Sequence, residues 1–384
     1  MKITISKRDL EASIQIASIG VSAASADLSG HFLFRLRDGK AEVLAYNQRI
    51  FAGCPLTCQI EEGEDGDAFT VESWRLKQWL GAVADAALTL TADEATVTAQ
   101  SPRGKVKWGS LDPNKFPYWD DILAGATEVA DIDGERLHSA VAYAKQFVSP
   151  EENTAPHLAV TEIRQPTDKE GNDVGSPSLY ATDQVGVAVI HIDGMDGSRL
   201  RLHGKDTAAV LSFLALKGSD KVKVKEHDRC LFIERTDGAI FGVARPNSKF
   251  PSLNVEDNAD PEVWWILDVE ELEGAIKFLG TSAAKDDTRI RFSFDADKKS
   301  VVVAVSSASG GEDSLPVKTI DFGGVDGLPD DGFLIRHPYL TKVTSQFASD
   351  TIRFDIFQKK KGGWVRFRHE KEGDKYLTVV VWVR

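Results

Sequence analysis

The hydrophobic and polar positions of this chain follow a pattern that repeats about every third of its length. The first third opens MKITISKRDLEASIQIASI, the second contains TEVADIDGERLHSAVAYAKQFV, and the third contains VWWILDVEELEGAIKFLG. Each stretch starts with alternating residues that predict a strand. It then continues past a Ser-type or acidic helix start into apolar residues at helical spacing, as at Leu137, Val141 and Ala144.

The same pattern starts again halfway through each third. The three stretches are AFTVESWRLKQWLGAV, RLRLHGKDTAAVLSFLAL and GFLIRHPYLTKVTSQFA. The chain is therefore predicted to contain six units in which a strand is followed by a helix.

Segments of strict alternation lie between and after these helices. They are HFLFRLRDGKAEVLAY, ALTLTADEATVTAQ, KVKVKEHDRCLFIERT, RIRFSFDADKKSVVVAVS and TIRFDIFQKKKGGWVRF. A period of two, broken by Asp-Gly, Asp-Glu or Lys-Gly-Gly, predicts antiparallel hairpins. Because such sheets have one apolar face to cover, two helices per third would serve that purpose. The predicted class is α+β with sheet predominating.

Two nearly identical stretches mark candidate domain ends. PNKFPYW, Pro113–Trp119, is matched 134 residues later by NSKFPSL, Asn247–Leu253. At 384 residues the chain is long for a single core. We therefore predict three domains, with boundaries 1–122, 123–255 and 256–384.

Four segments rich in Pro, Gly, Asp or polar residues interrupt the pattern. Linkers are expected near Tyr118–Thr127 and Leu253–Glu262, and mobile loops within domains at Arg164–Pro177 and Ser306–Pro316.

Composition narrows the class of protein. With 42% hydrophobic and 27% charged residues, the chain is typical of a globular protein. No apolar run approaches the roughly 20 residues of a spanning helix, and the opening residues lack the apolar core of a signal peptide. Three cysteines, Cys54, Cys58 and Cys230, are too few for a disulfide framework and favour a reducing compartment. We expect a cytoplasmic protein without a membrane role.

Motifs for catalysis or cofactor binding are weak. Gly204-Lys205 is followed by Asp206, so no P-loop is present, and Cys54-Pro-Leu-Thr-Cys58 lacks the spacing of a metal site. The histidines are scattered, with no nucleophile motif beside them. We expect no enzyme activity, no cofactor and no metal. A hydrolase on an unrelated α+β fold is the alternative, and it would require a pocket with converging carboxylates.

The repeats resemble the bacterial-type DNA polymerase sliding clamp, the beta subunit of the replicase, over the whole chain. The resemblance is carried by MKITISKRDLEASI at the start, the two Lys-Phe-Pro sites, Leu-Tyr-Ala-Thr-Asp at Leu179–Asp183, and the final TVVVWVR. Several signature positions differ, which indicates a viral or otherwise divergent member.

The resemblance implies a homodimeric, head-to-tail ring of six clamp domains around duplex DNA. Such a ring serves DNA replication as a processivity factor that tethers the polymerase, and a separate clamp loader ATPase opens it. The net charge of −13 fits a ring that holds DNA by topology and does not grip it. The basic residues expected to line the hole are Arg75, Lys77, Arg136, Lys145, Lys205, Lys217, Lys277 and Lys342. Each could instead belong to an ordinary solvated helix face.

The resemblance also implies a partner-peptide cleft, most of whose residues are apolar, as a groove for an extended peptide requires. Its candidate residues are Leu158, Thr182, Val187, Pro251, Trp364, Val380, Val381, Trp382, Val383 and Arg384. The family's Gly-His-Arg-Leu is replaced here by Gln184–Val187, so peptide specificity is expected to differ. The alternative for Trp382 is a buried strand residue.

For ring closure, the resemblance implies an edge strand of domain 1 meeting a helix of domain 3. Val106 and Trp108 match the first side, and Phe278 and Leu279 match the second. An edge strand that carries Lys and Trp could also simply protect itself against aggregation. The rival function is a tandem-repeat scaffold that binds protein or single-stranded DNA without closing a ring, with Trp74, Trp79 and Trp108 as aromatic platforms.

Overall fold

The structure, a computed structural model, describes most of the chain. The described residues are 1–22, 25–84, 86–93, 95–149, 155–164, 177–192, 194, 201–248, 250–251, 260–283, 289–306, 310–324, 328, 332–344, 350–358, 363–371 and 374–382. By its internal contacts the chain divides into two compact units. Unit 1 comprises Met1–His138 and Leu200–Pro246, and unit 2 comprises Ser139–Arg199 and Asn247–Arg384. The three-domain boundaries stay a prediction.

Strands predominate among the described elements. The strands are β1 Lys2–Ser6, β2 His31–Arg37, β3 Lys40–Tyr46, β4 Ile50–Pro55, β5 Cys58–Glu62, β6 Ala68–Glu72, β7 Ala87–Asp93, β8 Thr96–Ser101, β9 Gly104–Gly109, β10 Thr127–Asp133, β11 Val160–Arg164, β12 Ser178–Thr182, β13 Gly186–His191, β14 Arg201–His203, β15 Lys221–Glu226, β16 Cys230–Arg235, β17 Ile240–Ala244, β18 Val263–Asp268, β19 Arg289–Asp295, β20 Ser300–Ser306, β21 Glu312–Gly323, β22 Phe333–Arg336, β23 Thr351–Gln358, β24 Gly363–Lys371 and β25 Asp374–Trp382. The helices are α1 Lys7–Ala17, α2 Ser73–Ala82, α3 Asp120–Ala124, α4 Gly134–Lys145, α5 Thr207–Leu214, α6 Val269–Ser282 and α7 His337–Thr344.

The six predicted strand–helix units are confirmed. They are β1–α1, β6–α2, β10–α4, β14–α5, β18–α6 and β22–α7. Helix starts follow the residues that predict them: the Ser6 hydroxyl accepts a hydrogen bond from the Asp9 N–H at 3.1 Å, and the Asp268 carboxylate accepts one from the Glu271 N–H at 2.8 Å. Each of these caps satisfies a backbone donor that the helix itself leaves unpaired.

Unit 1 contains two antiparallel sheets. One has the order β5-β1-β7-β8-β9, which leaves β9 at an edge, and the other has the order β10-β15-β16-β17-β4-β3-β2-β6. Helix α1 contributes Leu10, Ile14 and Ala17 to the core and contacts β3 and β4. The apolar face of the helix thus covers the apolar face of the larger sheet.

Unit 2 is built on one long run of antiparallel strands. Their order is β11-β12-β13-β25-β24-β23-β18-β21-β20-β19-β22. Helix α6 packs on β20 and β21 and against α7, and it buries Leu272, Ile276 and Leu279.

Two of the predicted irregular segments are wrong in part. Residues 120–124 of the first predicted linker form α3, and Trp119 just before it is buried. The Asp120 carboxylate accepts hydrogen bonds from the two Nη groups of Arg35 at 2.6 and 2.8 Å, so this segment is fixed to β2. In the expected loop Ser306–Pro316, β21 already begins at Glu312. Residues 165–176 and 252–259, which include most of the other predicted loop and linker, lie outside the described residues.

Candidate partner cleft and assembly surfaces

One face of the unit 2 sheet brings together two segments far apart in the chain, the β12–β13 hairpin and β25. In β12 and β13, Thr182 lies opposite Val187 and Tyr180 opposite Val189. In β25, Val379 lies opposite Val187 and Leu377 opposite Val189. Residues that lie directly opposite one another in antiparallel strands share a face of the sheet, so these six side chains are neighbours on one surface.

The apolar part of this surface has a compact core. Val160, Tyr180, Val189, Phe250 and Leu377 form a buried cluster, against which the partly buried Val187 and Val379 pack. The guanidinium of Arg164 lies 4.5 Å from the ring centre of Tyr180 and 5.6 Å from that of Phe250. We name the surface formed by Tyr180, Val187, Val189, Leu377 and Val379 the cleft face.

A rigid turn joins β12 to β13 at one end of this face. The Asp183 carboxylate accepts hydrogen bonds from the Gly186 N–H at 2.9 Å and from the Tyr339 hydroxyl at 3.0 Å, and Lys342 Nζ also lies 3.0 Å from it. Gln184 has a φ of 79°, in the left-handed region. At Gly186 a Cβ would stand 3.0 to 3.1 Å from the rings of Tyr339 and Phe147, so this position favours glycine.

The predicted cleft residues from the second third agree in part with this geometry. Val187 lies on the cleft face with Thr182 opposite it, although Thr182 is buried. Leu158 is buried in the segment before β11, and Pro251 is half-buried and follows Phe250 of the apolar cluster. These residues therefore support the cleft face more than they form its surface.

The predicted residues near the end of the chain need one correction. Val380 is fully buried and lies on the opposite face of β25, because alternate residues of a strand point to opposite sides. Val379, which sequence reasoning missed, takes its place on the cleft face. Trp364 lies opposite Val381 in register and Gly363 opposite Trp382. Val383 and Arg384 lie outside the described residues.

The predicted ring-closing residues differ in accessibility. Strand β9 is the exposed edge of its sheet, where Val106 is 37% exposed and Trp108 packs edge-to-face on Trp79 with ring centres 5.9 Å apart. On α6, Phe278 is 63% exposed, whereas Leu279 is fully buried. Leu279 therefore belongs to the core of unit 2, and Phe278 is the apolar side chain that this helix presents to solvent.

The predicted DNA-facing residues of unit 1 lie on or beside helices. Arg75 of α2 is ion-paired with Glu72 at 2.5 Å, and the Lys77 ammonium lies 5.7 Å from the ring of Phe32. Burial lowers the pKa of Lys77. Arg136 lies in the first turn of α4, Lys205 in the turn before α5, and Lys217 in the turn after it.

The remaining three lie in unit 2. Lys145 is exposed at the end of α4, and Lys277 of α6 is exposed with its ammonium 2.9 Å from Glu273. Lys342 of α7 is held by Asp183 and lies 4.5 Å from the ring centre of Tyr339. DNA contact by any of the eight residues stays a prediction.

Candidate chemistry is sparse within the part of the chain that the structure describes. Cys54, Cys58 and Cys230 are free thiols, and burial raises the pKa of Cys230 to about 11. A thiol with a raised pKa is protonated near neutral pH and therefore a poor nucleophile. The described side chains include no group of three or more His, Cys, Asp or Glu that could hold a metal ion. None of the described helices is long and apolar enough to cross a membrane.

Comparison with solved structures identifies the fold. The chain is similar to the beta subunit of DNA polymerase from Streptococcus pyogenes, with 13% identity, 100% of both chains covered and a TM-score of 0.82. It is also similar to the beta sliding clamp of Caulobacter crescentus, with 17% identity, 100% of this chain and 99% of that chain covered and a TM-score of 0.79. A third similar structure is the beta subunit of DNA polymerase III from Thermotoga maritima, with 16% identity, 100% of this chain and 99% of that chain covered and a TM-score of 0.76.

These matches extend over the full length of the chain. The chain therefore has the fold of bacterial sliding clamps, and the predicted fold class is confirmed. The low identities agree with the divergence seen at the signature positions. No protein-family model matches the sequence, and no curated protein matches it.

Proposed function

We propose that this chain is a DNA sliding clamp. Two copies close head to tail into a ring around duplex DNA, and the ring tethers a DNA polymerase as a processivity factor in replication. The observation that carries the proposal is the likeness to the beta subunit of a bacterial DNA polymerase over 100% of both chains. The role is that of a scaffold without catalysis, so ATP-driven opening belongs to a separate clamp loader.

The proposed ring has three domains per chain, with boundaries 1–122, 123–255 and 256–384. Recurring local geometry supports this division. Gln48 and Gln184 have φ angles of 72° and 79°, and each lies in the turn before a strand. The strand after Gln48 is β4, which pairs with β17 near the end of the second third. The strand after Gln184 is β13, which pairs with β25 near the end of the last third. Lys-Phe-Pro then recurs after each of these hairpins.

Ring closure is proposed between β9 of one protomer and α6 of the other. The exposed edge of β9 offers unpaired backbone groups together with Val106 and Trp108, and α6 offers Phe278. An apolar contact of this kind joins two different surfaces, as a head-to-tail ring requires. Lys105 and Lys107 alternate with the apolar residues, which would restrain the edge from pairing indiscriminately.

The cleft face is proposed to bind a short, extended peptide from the polymerase or the clamp loader. Val187 and Val379 are partly buried apolar side chains on a rigid sheet, a suitable floor for such a peptide. The turn fixed by Asp183 holds one end of this floor in place.

Solution mass and retention on DNA test the proposal together. Light scattering is expected to give about 84 kDa, twice the 42.0 kDa of one chain. The loaded dimer is expected to remain on nicked circular duplex DNA in a gel-filtration assay and to slide off the same DNA after it is cut once.

The Trp108→Glu variant provides the matched control. It places a charge at the proposed interface, so we expect monomers that are not retained on circular DNA. A dimeric Trp108→Glu variant would overturn the assigned interface. A wild-type protein that stays monomeric and leaves circular and linear DNA equally fast would instead favour a scaffold that forms no ring.

A further inference from the structure

Three arginines surround one aspartate next to the cleft face. Asp355 of β23 is fully buried. Its carboxylate oxygens lie 2.7 Å from Nε of Arg353, 2.9 Å from Nη2 of Arg366 and 2.7 Å from Nε of Arg368. Since one carboxylate offsets one guanidinium, these four side chains keep a net formal charge of +2. We name them the arginine cluster.

The cluster is held rigidly, and part of it reaches solvent. Arg366 is 1% exposed, whereas Arg353 and Arg368 are 39% and 38% exposed. The Arg353 guanidinium lies 4.6 Å from the ring centre of Trp264, and that of Arg366 lies 4.9 Å from Phe357. Guanidinium groups fixed in this way lose little conformational freedom when they bind an anion. Their planar fork also matches the geometry of a carboxylate.

Register places the cluster beside the apolar floor of the cleft face. Arg366 lies opposite Val379 and Arg368 opposite Leu377, while Arg353 lies opposite Arg368 on the next strand. Neighbouring strands are about 4.8 Å apart, so Arg353 is roughly 10 Å from the row of Val379 and Leu377. An extended peptide advances about 3.3 Å per residue. If one peptide residue covers Val379, a peptide residue about three positions away would therefore reach the exposed guanidiniums.

We propose that the arginine cluster binds acidic side chains that flank the apolar residues of the partner peptide. The proposal rests on the proposed function of the cleft face and specifies the chemistry of its partner. A peptide carboxylate fits better than a nucleic acid here for two reasons. The cluster adjoins the apolar floor proposed to hold a peptide, and of its three arginines Arg353 and Arg368 reach solvent, which suits one or two carboxylates better than a continuous row of phosphates.

Two synthetic peptides test this inference. The first is Glu-Glu-Gly-Leu-Val-Leu-Phe-Gly-Glu-Glu with a fluorescent label, and the second has Gln in place of every Glu. Acidic residues at both ends make the result independent of the direction in which the peptide lies. Fluorescence anisotropy at about 50 mM salt is expected to give about tenfold tighter binding of the Glu peptide, and about 0.5 M salt should remove most of the difference.

The double variant Arg353→Gln, Arg368→Gln should bind both peptides equally. Arg366 remains paired with Asp355 in this variant, so the buried carboxylate keeps a partner. Arg291→Gln is the matched control, because Arg291 is 44% exposed in β19 of the same strand order and pairs with Glu312 at 2.9 Å. It should retain the tenfold preference.

The outcomes separate this inference from the proposed cleft. Suppose that the wild-type protein binds the two peptides equally and that Val187→Asp binds neither. This result would overturn the role given to the arginine cluster and leave the cleft face in place. A preference for Glu that survives Val187→Asp would support the cluster and count against the cleft. Failure of both peptides to bind would overturn both proposals. Binding of a thymidine 12-mer that is lost in the double variant, with no preference for the Glu peptide, would assign the cluster to single-stranded DNA and overturn the inference.

Discussion

The cleft face of unit 2 has a counterpart in unit 1, and the two surfaces are covered in different ways. Gln48 and Gln184 adopt the same left-handed conformation in equivalent turns, and the strand after each turn pairs with an antiparallel neighbour. Phe51 lies opposite Gly242 where Val187 lies opposite Val379. The next strand carries Phe232 in unit 1 and Arg366 in unit 2.

In unit 1 the chain covers this surface with its own tryptophan. Trp119, two residues after Pro117, stacks on Phe51 with ring centres 5.6 Å apart and meets Phe232 edge-on at 5.7 Å. Gly242 makes the close approach possible, because a Cβ there would stand 2.8 Å from the Trp119 ring. The surface in unit 1 is therefore closed within the chain.

In unit 2 the corresponding described residues are different. Val379 occupies the position equivalent to Gly242, and its side chain takes the space that a flat-lying ring would need. Val187 and Val379 are only partly buried, and a charged cluster adjoins them where unit 1 has Phe232. The difference lies in the residue opposite the strand after the turn: in unit 1 a glycine lets an aromatic ring close the surface, whereas in unit 2 a valine stands there and, among the described residues, stays partly exposed.

Removal of the aromatic cover should have the largest effect. Trp119→Ala would leave a cavity among Phe51, Tyr46 and Phe232, and we expect a loss of about 3–5 kcal/mol in the free energy of unfolding. Urea unfolding followed by circular dichroism measures this loss. Trp74→Ala is the control, because Trp74 is 52% exposed and its truncation should cost less than about 1 kcal/mol. Equal losses in the two variants would contradict the role given to Trp119.

A charge on the cleft face should abolish recognition without unfolding the protein. In Val187→Asp the carboxylate would replace an apolar contact, so the affinity for the Gln peptide described above should fall about 100-fold, or about 2.8 kcal/mol. Ile320→Asp is matched to it, since Ile320 is exposed on β21 of the same strand order. Anisotropy titrations should give the wild-type affinity for that control. An affinity of Val187→Asp within twofold of wild type would remove the cleft face from the proposal.

Periodicity in the sequence predicted the elements but not what covers them. The alternating and helical patterns located all six strand–helix units, and Lys-Phe-Pro located equivalent points of the repeat. Trp119 lies between Pro and Asp residues, which predict a linker, whereas its burial depends on Gly242, more than 100 residues away. When residues distant in the chain bury a side chain, the sequence around that side chain contains no pattern that predicts its burial.

Register explains the other misses. Val380 and Val379 are adjacent valines, and only the pairing with β13 decides which of them faces Val187. A shift of one residue exchanges the two faces of a strand, so a resemblance that is uncertain by one position selects the wrong valine. The arginine cluster was missed for the same reason, since Asp355 and Arg366 come together only through the pairing of β23 with β24.

The smallest predicted effect concerns pH and again distinguishes the two regions. His369 of β24 is buried, stacked on Tyr376 with ring centres 5.0 Å apart, and burial lowers its pKa to about 3. The equivalent position in unit 1 is Arg235, so a histidine at this point of the repeat is specific to unit 2. Below the ordinary histidine pKa of about 6.5, the unfolded chain binds a proton that folded His369 does not bind. The contribution to stability is therefore complete above about pH 6.5 and declines as the pH falls towards 3, by about 2 kcal/mol at pH 5.

Urea unfolding of the wild-type protein and of His369→Phe at pH 7.5 and pH 5 measures this decline in the free energy of unfolding. The decline should be smaller in the variant by that amount. The same decline in both proteins would show that acid sensitivity arises elsewhere in the chain.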